Sequence, residues 1–405
     1  MNNTISVPYW RLSGFYFFYF ATLGCFLPYW SLYLKDGGFN PIEIGELSAM
    51  LVGTKIIAPN LWGWIADHSG KSLRIIRIGS FFAALLFAGF FFAHNYFWFA
   101  WITIAFSFFW NAVLSQFEAV TLFHLKNESH RYSKIRLWGS VGFIVAVLGI
   151  GWLLDSQPVK QLPVVVIALL ISSWCVTLIT PEAKTIKHET ATIGMLQIIK
   201  KPEVIAFLLV NILLQVAHAP YYVFYSIYLK HYHYSTAITG LLWALGVLAE
   251  IVLFVYMGRL LKRFSLRAIL LFSLVLATSR WLMIGWCADY LGLLIIAQLL
   301  HAATFGGAHV VAIHLLHLYF GGQHQGKGQA LYTSLSFGVG GMLGSYYSGF
   351  FWESLGPKFV YSMAALCCSI AFMIAFIWVG RENVNISTKR RVKSRALLTH
   401  RGLKP

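Results

Sequence analysis

Twelve long apolar stretches run through this chain of 405 residues, and they limit its fold more than any other feature. Each can cross the hydrocarbon core of a bilayer, which takes about 20 mostly apolar residues as a helix. The alternating ten-residue segments typical of a membrane β-barrel are absent. The sequence therefore predicts an all-α polytopic membrane protein with twelve transmembrane helices. The stretches are 9–34, 43–66, 74–93, 96–123, 134–154, 161–180, 203–229, 237–261, 267–286, 291–317, 327–352 and 357–379.

The positive charges are concentrated on one side of this predicted topology. The formal net charge is +17, and 24 of the 31 Lys and Arg residues lie in or next to the N-terminal tail, the connections after even-numbered helices and the C-terminal tail. By the positive-inside rule, both termini are expected in the cytoplasm and the protein in the cytoplasmic (inner) membrane. The basic tail, residues 380–405, is expected to fix topology and contact lipid headgroups. No nucleic-acid partner is expected.

The two halves of the chain resemble each other. At an offset of 195 residues, positions 33–63 share nine identities in 31 with 228–258, and Gly45 is matched with Gly240. This register predicts two pseudo-symmetric six-helix bundles, 1–180 and 203–379, joined by a cytoplasmic linker, 181–202. Duplicated halves are typical of alternating-access transporters, whose site lies near the bilayer midplane between the repeats. The alternative is a twelve-helix receptor or scaffold that moves no ligand.

The connection after helix two reads GWIADHSGKSLR (63–74) and resembles the signature loop of the major facilitator superfamily. Gly63, Asp67, Gly70 and Lys71 match that signature. The resemblance implies the major facilitator fold and a gating loop at the cytoplasmic side that stabilises the outward-facing state. Two positions in the loop depart from the signature, because His and Ser stand where the family usually has basic residues.

Further segments resemble a narrower branch, the phenylpropionate permease family, which is related to the lactose and nucleoside proton symporters. The segments are YSKIRLWGSVGF (132–143), ALGVLAEIVLF (244–254), SRWLM (279–283), LLHAATFGGAH (299–309) and GKGQALYTSLSFGVGGMLG (326–344). The resemblance implies proton-coupled import of a small organic compound, an aromatic carboxylate in this branch. A sugar or nucleoside proton symporter is the alternative, and an enzyme is not expected.

Five charged residues of the predicted helices are the candidates for charges inside the membrane. They are Lys55, Glu118, Arg136, Glu250 and Arg280. An ionised side chain at the centre of a membrane helix costs about 2.5–3.5 kcal/mol even on the lenient insertion scale, so each of these residues suggests a function. The alternative is that they only pair with one another. Three cations and two anions would leave one cation unpaired.

Glu118 and Arg136 flank the short connection between helices four and five, and we expect them at similar depth. The resemblance to the lactose permease implies that this pair binds substrate. The Arg side chain suits a carboxylate because its planar fork donates two parallel hydrogen bonds. A residue that merely reaches the membrane interface is the alternative for Arg136. Aromatic walls for the ligand are expected from Tyr29 and Trp30 of helix one and Tyr221 and Tyr222 of helix seven.

Glu250 is the first candidate for the proton-coupling carboxylate, with Arg280 on the next helix as its expected neighbouring cation. Burial favours the neutral form of a carboxylate and a nearby cation favours the charged form, so such a group can change its protonation with access. Lys55 occupies the position equivalent to Glu250 in the repeat. His309, in helix ten, is a second candidate for proton relay, although a lone His on an apolar helix is as often a packing residue.

The remaining motifs predict no further chemistry. Glycines in helix eleven (Gly338, Gly340, Gly341, Gly344) and helix five (Gly142, Gly149, Gly151) are interpreted as small residues that let membrane helices approach closely. Metal-ligand spacings and catalytic triads are absent from the sequence, so neither a metal nor a cofactor other than the coupled proton is expected. The expected partners are a small-molecule substrate, protons and the lipid bilayer, and the protein is expected to function as a monomer.

Overall fold

A computed structural model describes residues 7–125, 128, 131–182, 195–321 and 324–380. The described residues form helices and connections, without a strand. The main helices are α1 (Tyr9–Asp36), α2 (41–69), α3 (Ser72–Phe91), α4 (Tyr96–Leu125), α5 (Tyr132–Ser156), α6 (Val159–Ile179), α7 (Pro202–His231), α8 (Thr236–Arg263), α9 (Leu266–Trp286), α10 (Leu291–Tyr319), α11 (325–354) and α12 (Gly356–Trp378). A short helix, Met195–Ile199, precedes α7.

Ten of these helices are long and apolar enough to cross a membrane, by length and composition. The two that do not qualify are α2 and α11. A 3₁₀ turn over Thr54–Ile56 interrupts α2, and α11 is rich in Gly and Ser. The all-α polytopic fold is confirmed, and membrane crossing by α2 and α11 stays a prediction. The domain boundaries also stay predictions, and most of the linker and of the basic tail lies outside the described residues.

Three helices contain π-helical segments, at Phe26–Trp30 in α1, Ala302–Gly307 in α10 and Thr333–Gly340 in α11. In α1 the segment contains Pro28, which has no N–H to donate to the regular helical ladder. Segments of this kind are frequent at functional sites. The segment in α11 lies where the two halves meet, since a Cβ atom on Gly338 would be 2.8 Å from the side chain of Ile56 in α2.

Glycines bring helices together within each half in a repeated way. In the first half, a Cβ atom on Gly142 would lie 2.2 Å from the carbonyl oxygen of Phe17, so α5 touches the backbone of α1. In the second half, a Cβ atom on Gly344 would lie 2.6 Å from the carbonyl oxygen of Val216, so α11 touches α7. The packing interpretation of these glycines is confirmed. Gly149 differs, because it has open space around it.

The two halves are in close contact at one side of the bundle, which carries the α1–α2, α5–α6 and α7–α8 connections and is here called the far face. A Cβ atom on Gly45 of α2 would lie 2.7 Å from the Cα atom of Gly349 in α11. A Cβ atom on Gly151 of α5 would lie 2.8 Å from the carbonyl oxygen of Thr236 in α8. At the far face the halves are therefore in direct backbone contact.

A carboxylate also links the halves at the far face. Asp155, in the last turn of α5, accepts hydrogen bonds from the backbone N–H groups of Thr236 at 2.7 Å and Ala237 at 3.2 Å. The hydroxyl of Thr236 donates to the same carboxylate. These N–H groups begin α8, where a helix has no internal partners for them and where a negative charge is favourable. The Asp155 clasp, meaning these contacts together, ties the first half to the second.

Candidate functional site

Glu118 of α4 and Arg136 of α5 lie together in the first half, as predicted. Tyr132 donates a hydrogen bond to Glu118 at 3.3 Å, and Arg136 acts on Glu118 electrostatically without a direct ion pair between the two. The guanidinium lies 3.9 Å from the centre of the Phe20 ring. Gly139 leaves room for it, because a Cβ atom there would lie 2.6 Å from Nη1 of Arg136. The guanidinium is thus held between a ring and a glycine.

Arg136 also faces the second half. Its charge acts on Glu250 of α8 and on His309 of α10, and all three side chains are half-buried. Glu250 lies against Gly306 of α10, where a Cβ atom would be 2.9 Å from Cγ of Glu250. The cation that acts on Glu250 is therefore Arg136, across the interface between the halves. Arg280, expected in this role from its place on the next helix, points elsewhere.

A stack of rings runs along α10. The rings of His301 and Phe305 have centroids 5.4 Å apart and planes within 10°, and those of Phe305 and His309 are 6.2 Å apart with planes within 7°. These three residues are spaced four apart and fall on one face of the helix. Nδ1 of His309 lies 3.3 Å from the hydroxyl of Tyr332 in α11. The stack connects the half-buried charges with the interior of the second half.

Arg280 of α9 lies fully buried in that interior. Its Nε donates to the carbonyl oxygen of Ala297 at 2.9 Å, and Nη1 donates to the hydroxyl of Thr304 at 3.5 Å. Its guanidinium carbon is 4.5 Å from the ring centres of both Tyr221 and Trp281. Nη2 has no hydrogen-bond partner, and no carboxylate of the described residues forms an ion pair with Arg280.

Three polar residues near Arg280 were not predicted as site residues. His218 and Gln298 are fully buried and His301 nearly so. Gln298 accepts from the hydroxyl of Tyr221 at 2.9 Å and donates to that of Tyr225 at 2.8 Å, which fixes both rings. Each of the three is a polar residue within an apolar helix. Charged residues within the helices are functional candidates on the sequence alone. Extending the same treatment to uncharged polar residues would have found these three.

The four predicted aromatic residues separate into two groups. Tyr221 packs on Arg280, and the half-buried Tyr222 feels the charges of both Arg280 and Glu250. Tyr29 is fully buried at the far face, where its hydroxyl donates to the carbonyl oxygen of Val147 at 2.7 Å. Trp30 packs among the rings Tyr33, Phe87 and Phe90 of the first half. The structure does not bring Tyr29 and Trp30 to the charged residues.

Lys55 lies in the 3₁₀ turn of α2. It is half-buried, and no ion pair joins it to a carboxylate of the described residues. The turn touches the second half, since Ser334 of α11 donates to the carbonyl oxygen of Ile56 at 3.3 Å. Lys55 is therefore near the interface between the halves.

The predicted gating loop lies on the side opposite the far face. Gly70 ends α2 with a left-handed backbone (φ 65°), which glycine adopts at no steric cost. Asp67 and Lys71 are exposed, and a Cβ atom on Gly63 would lie 3.4 Å from the side chain of Gln116 in α4. These contacts lie within the first half. The gating role stays a prediction.

Residues 9–363 match the sequence model of the MFS_1 like family. The chain belongs to this family of major facilitator transporters. The resemblance found in the sequence is thereby confirmed, and this MFS_1 like protein is an integral membrane transporter and not an enzyme.

Known relatives and structures agree with this assignment. The chain is 29% identical over 374 residues to a protein named probable 3-phenylpropionic acid transporter from Escherichia coli (strain K12), covering 90% of this chain and 96% of that one. It is 23% identical over 379 residues to the maltose permease of Geobacillus stearothermophilus, covering 91% and 94%. The crystal structure of nucleoside transporter NupG superposes with a TM-score of 0.79 at 16% identity, covering 91% of this chain and 98% of NupG. That likeness shows the major facilitator fold.

Proposed function

We propose that this protein imports a small aromatic carboxylate together with a proton, by alternating access. The observation that carries the proposal is the position of Arg136, whose charge acts on Glu250 and His309 of the other half while all three side chains stay half-buried. A ligand bound at this point contacts both halves. Transporters built from repeats place their sites at such interfaces near the midplane of the bilayer.

Glu250 is the proposed proton carrier. When Glu250 is ionised, it is attracted to Arg136 across the interface, and a proton on Glu250 removes that attraction. Protonation thus changes how strongly the two halves hold together at the site, which is what coupling of a proton to alternating access requires. His309, beside Tyr332, is the second candidate for the proton. No cofactor other than the proton is proposed.

The proposed orientation places both termini in the cytoplasm of the cell, with the protein in the inner membrane and acting as a monomer. The far face is then extracytoplasmic. The backbone contact of the halves at the far face supports, in this orientation, an inward-facing carrier. The partly exposed Glu250 and Arg136 are the groups that the substrate leaves on its way to the cytoplasm.

Uptake into proteoliposomes tests the proposal. Purified protein would be reconstituted and given radiolabelled arylalkanoic acids, nucleosides and disaccharides in turn, with and without an imposed pH gradient. We expect the acids alone to accumulate, and only with the gradient. Accumulation of a nucleoside or a disaccharide instead would establish the alternative symporter, and specific binding without uptake of any compound would indicate a receptor.

A further inference from the structure

We infer that Arg280, which is buried among Tyr221, Trp281 and His301 behind the half-buried charges, is the anchor for the substrate's carboxylate. This inference rests on the proposed function, because it assumes an anionic substrate. It goes beyond the sequence prediction, which assigned Arg280 to proton coupling and the anionic contact to Arg136.

The first step of the argument is the balance of charge. Arg136 lies within the electrostatic reach of two carboxylates, Glu118 and Glu250. Arg280 is fully buried and forms no ion pair with the described residues, so its charge is balanced only by carbonyl, hydroxyl and ring contacts. A buried charge without a counterion is strongly unfavourable. An anionic ligand supplies the missing counterion.

The second step concerns unused hydrogen-bonding atoms. Nη2 of Arg280 and Nδ1 of His301 are buried without a partner. Nη2 is a donor, and Nδ1 is a donor in one of the two neutral tautomers of His301, so a carboxylate has enough acceptor sites for both. His218 does not serve as a further donor in its neutral form. Its Nδ1 donates to the carbonyl oxygen of Leu214 at 2.7 Å, which leaves a lone pair on Nε2. Donors held in place without a partner bind an anion without paying for reorganisation.

The third step concerns the aromatic part of the ligand. Tyr222 and Phe305 are half-buried and lie between Arg280 and the half-buried charges, since Tyr222 feels both Arg280 and Glu250, and Phe305 stacks between His301 and His309. Two aromatic rings in contact attract each other more strongly than the burial of their apolar surface alone accounts for. A ligand whose carboxylate contacts Arg280 therefore places an aryl group beside Tyr222 and Phe305.

The test compares an acid with its neutral amide. Binding of 3-phenylpropionate and of 3-phenylpropionamide would be measured by calorimetry on the purified full-length protein, in the native form and in Arg280→Gln, Arg280→Lys and His301→Phe. Arg259→Lys is the matched control, because Arg259 packs on the Tyr256 ring outside the site. Thermal unfolding without ligand would be recorded for each.

We expect Arg280→Gln to lose affinity for the acid by about thirty-fold or more and to bind the amide nearly as before. His301→Phe should show a smaller loss in the same direction. Without ligand, Arg280→Gln should unfold at a higher temperature than the native protein, since it removes an uncompensated buried charge. This second readout separates loss of a binding contact from loss of the fold.

Two results would overturn the inference, and they differ from each other. If the native protein prefers the acid and Arg280→Gln keeps the same ratio of acid to amide affinity, the carboxylate is bound elsewhere, while the proposed function stands. If the native protein binds neither compound, the proposed aromatic acid is wrong and the role of Arg280 falls with it.

Discussion

At the scale of single residues, the two arginines of the membrane interior differ in what balances their charge. Arg136 acts on Glu118 and Glu250 and lies on the Phe20 ring, whereas Arg280 has carbonyl, hydroxyl and ring contacts. Substitutions at the two positions should therefore change different properties. Arg136 should affect how the halves interact, and Arg280 should affect which ligands bind.

Arg136→Lys tests the first of these roles. The substitution keeps the positive charge but removes the planar fork that packs on Phe20. We expect the initial rate of uptake to fall at least ten-fold for acid and amide substrates alike. Transport and binding at the native level would show that Arg136 is merely interfacial. Arg259→Lys, on an exposed part of α8, is the control.

Glu250→Gln tests the proton carrier. The amide resembles the protonated acid, so the variant should still exchange labelled for unlabelled substrate across the membrane. It should lose accumulation driven by a pH gradient, because no proton leaves the site. Both activities are measured in the same proteoliposomes, and Glu353→Gln, exposed at the end of α11, is the control. If the variant concentrates substrate with only the pH gradient imposed, Glu118 and His309 become the next candidates.

At the scale of helices, the Asp155 clasp joins the end of α5 to the beginning of α8. The contact crosses between the halves, so it stabilises only the conformation in which the far face is closed. A negative charge at a helix N-terminus contributes about 1 kcal/mol at an exposed position. A contribution of this size shifts an equilibrium between two conformations roughly five-fold.

Asp155→Asn should accordingly favour opening of the far face. The measurement is alkylation of a cysteine introduced by Thr239→Cys, a buried position in α8, in a background without accessible native cysteines. We expect labelling to be about five-fold faster with Asp155→Asn. Asp289→Asn, exposed in the α9–α10 connection on the same side, should leave the rate unchanged. An unchanged rate in both variants would mean that the clasp does not hold the far face closed.

The helices could be predicted from the sequence because length and apolar composition determine them locally. The proximity of Glu118 and Arg136 could also be predicted, since a short connection places them on neighbouring helices. The electrostatic action of Arg136 on Glu250 could not, because it depends on how α5 and α8 are rotated against each other. The position of Tyr29 could not be predicted either, because its hydroxyl packs against glycines of α5 and α8 at the far face.

Features that arise from tertiary packing could not be predicted from the sequence patterns. Apolar content alone gives no sign of the 3₁₀ turn at Thr54–Ile56 or of the π-helical segment at Ala302–Gly307. Sequence neighbours suggested that Arg280 pairs with Glu250, but α9 directs Arg280 toward α7 and α10 instead. The duplication could be predicted from matched residues, whereas the side of each repeat that faces the other half could not.

At the scale of the whole molecule, the proposed cycle moves one monoanion with one proton, so the loaded carrier transfers no net charge. A membrane potential is worth about 2.3 kcal/mol per charge per 100 mV and should not drive this step. We expect uptake of the acid to depend on the pH gradient and to be unchanged by a potassium diffusion potential set with valinomycin. Faster uptake with a negative interior would contradict this stoichiometry and indicate more than one proton per substrate.

Leakage of water and ions through the far face depends on two glycine contacts, Gly45 with Gly349 and Gly151 with Thr236. Backbone atoms in contact leave no side chain that could swing aside alone to let water or ions pass. Opening the far face requires a whole half to move as a body, and packed bodies of this kind change position in discrete steps. For the proposed proton-coupled importer such a seal matters, because protons that leak through an idle carrier dissipate the pH gradient without importing substrate.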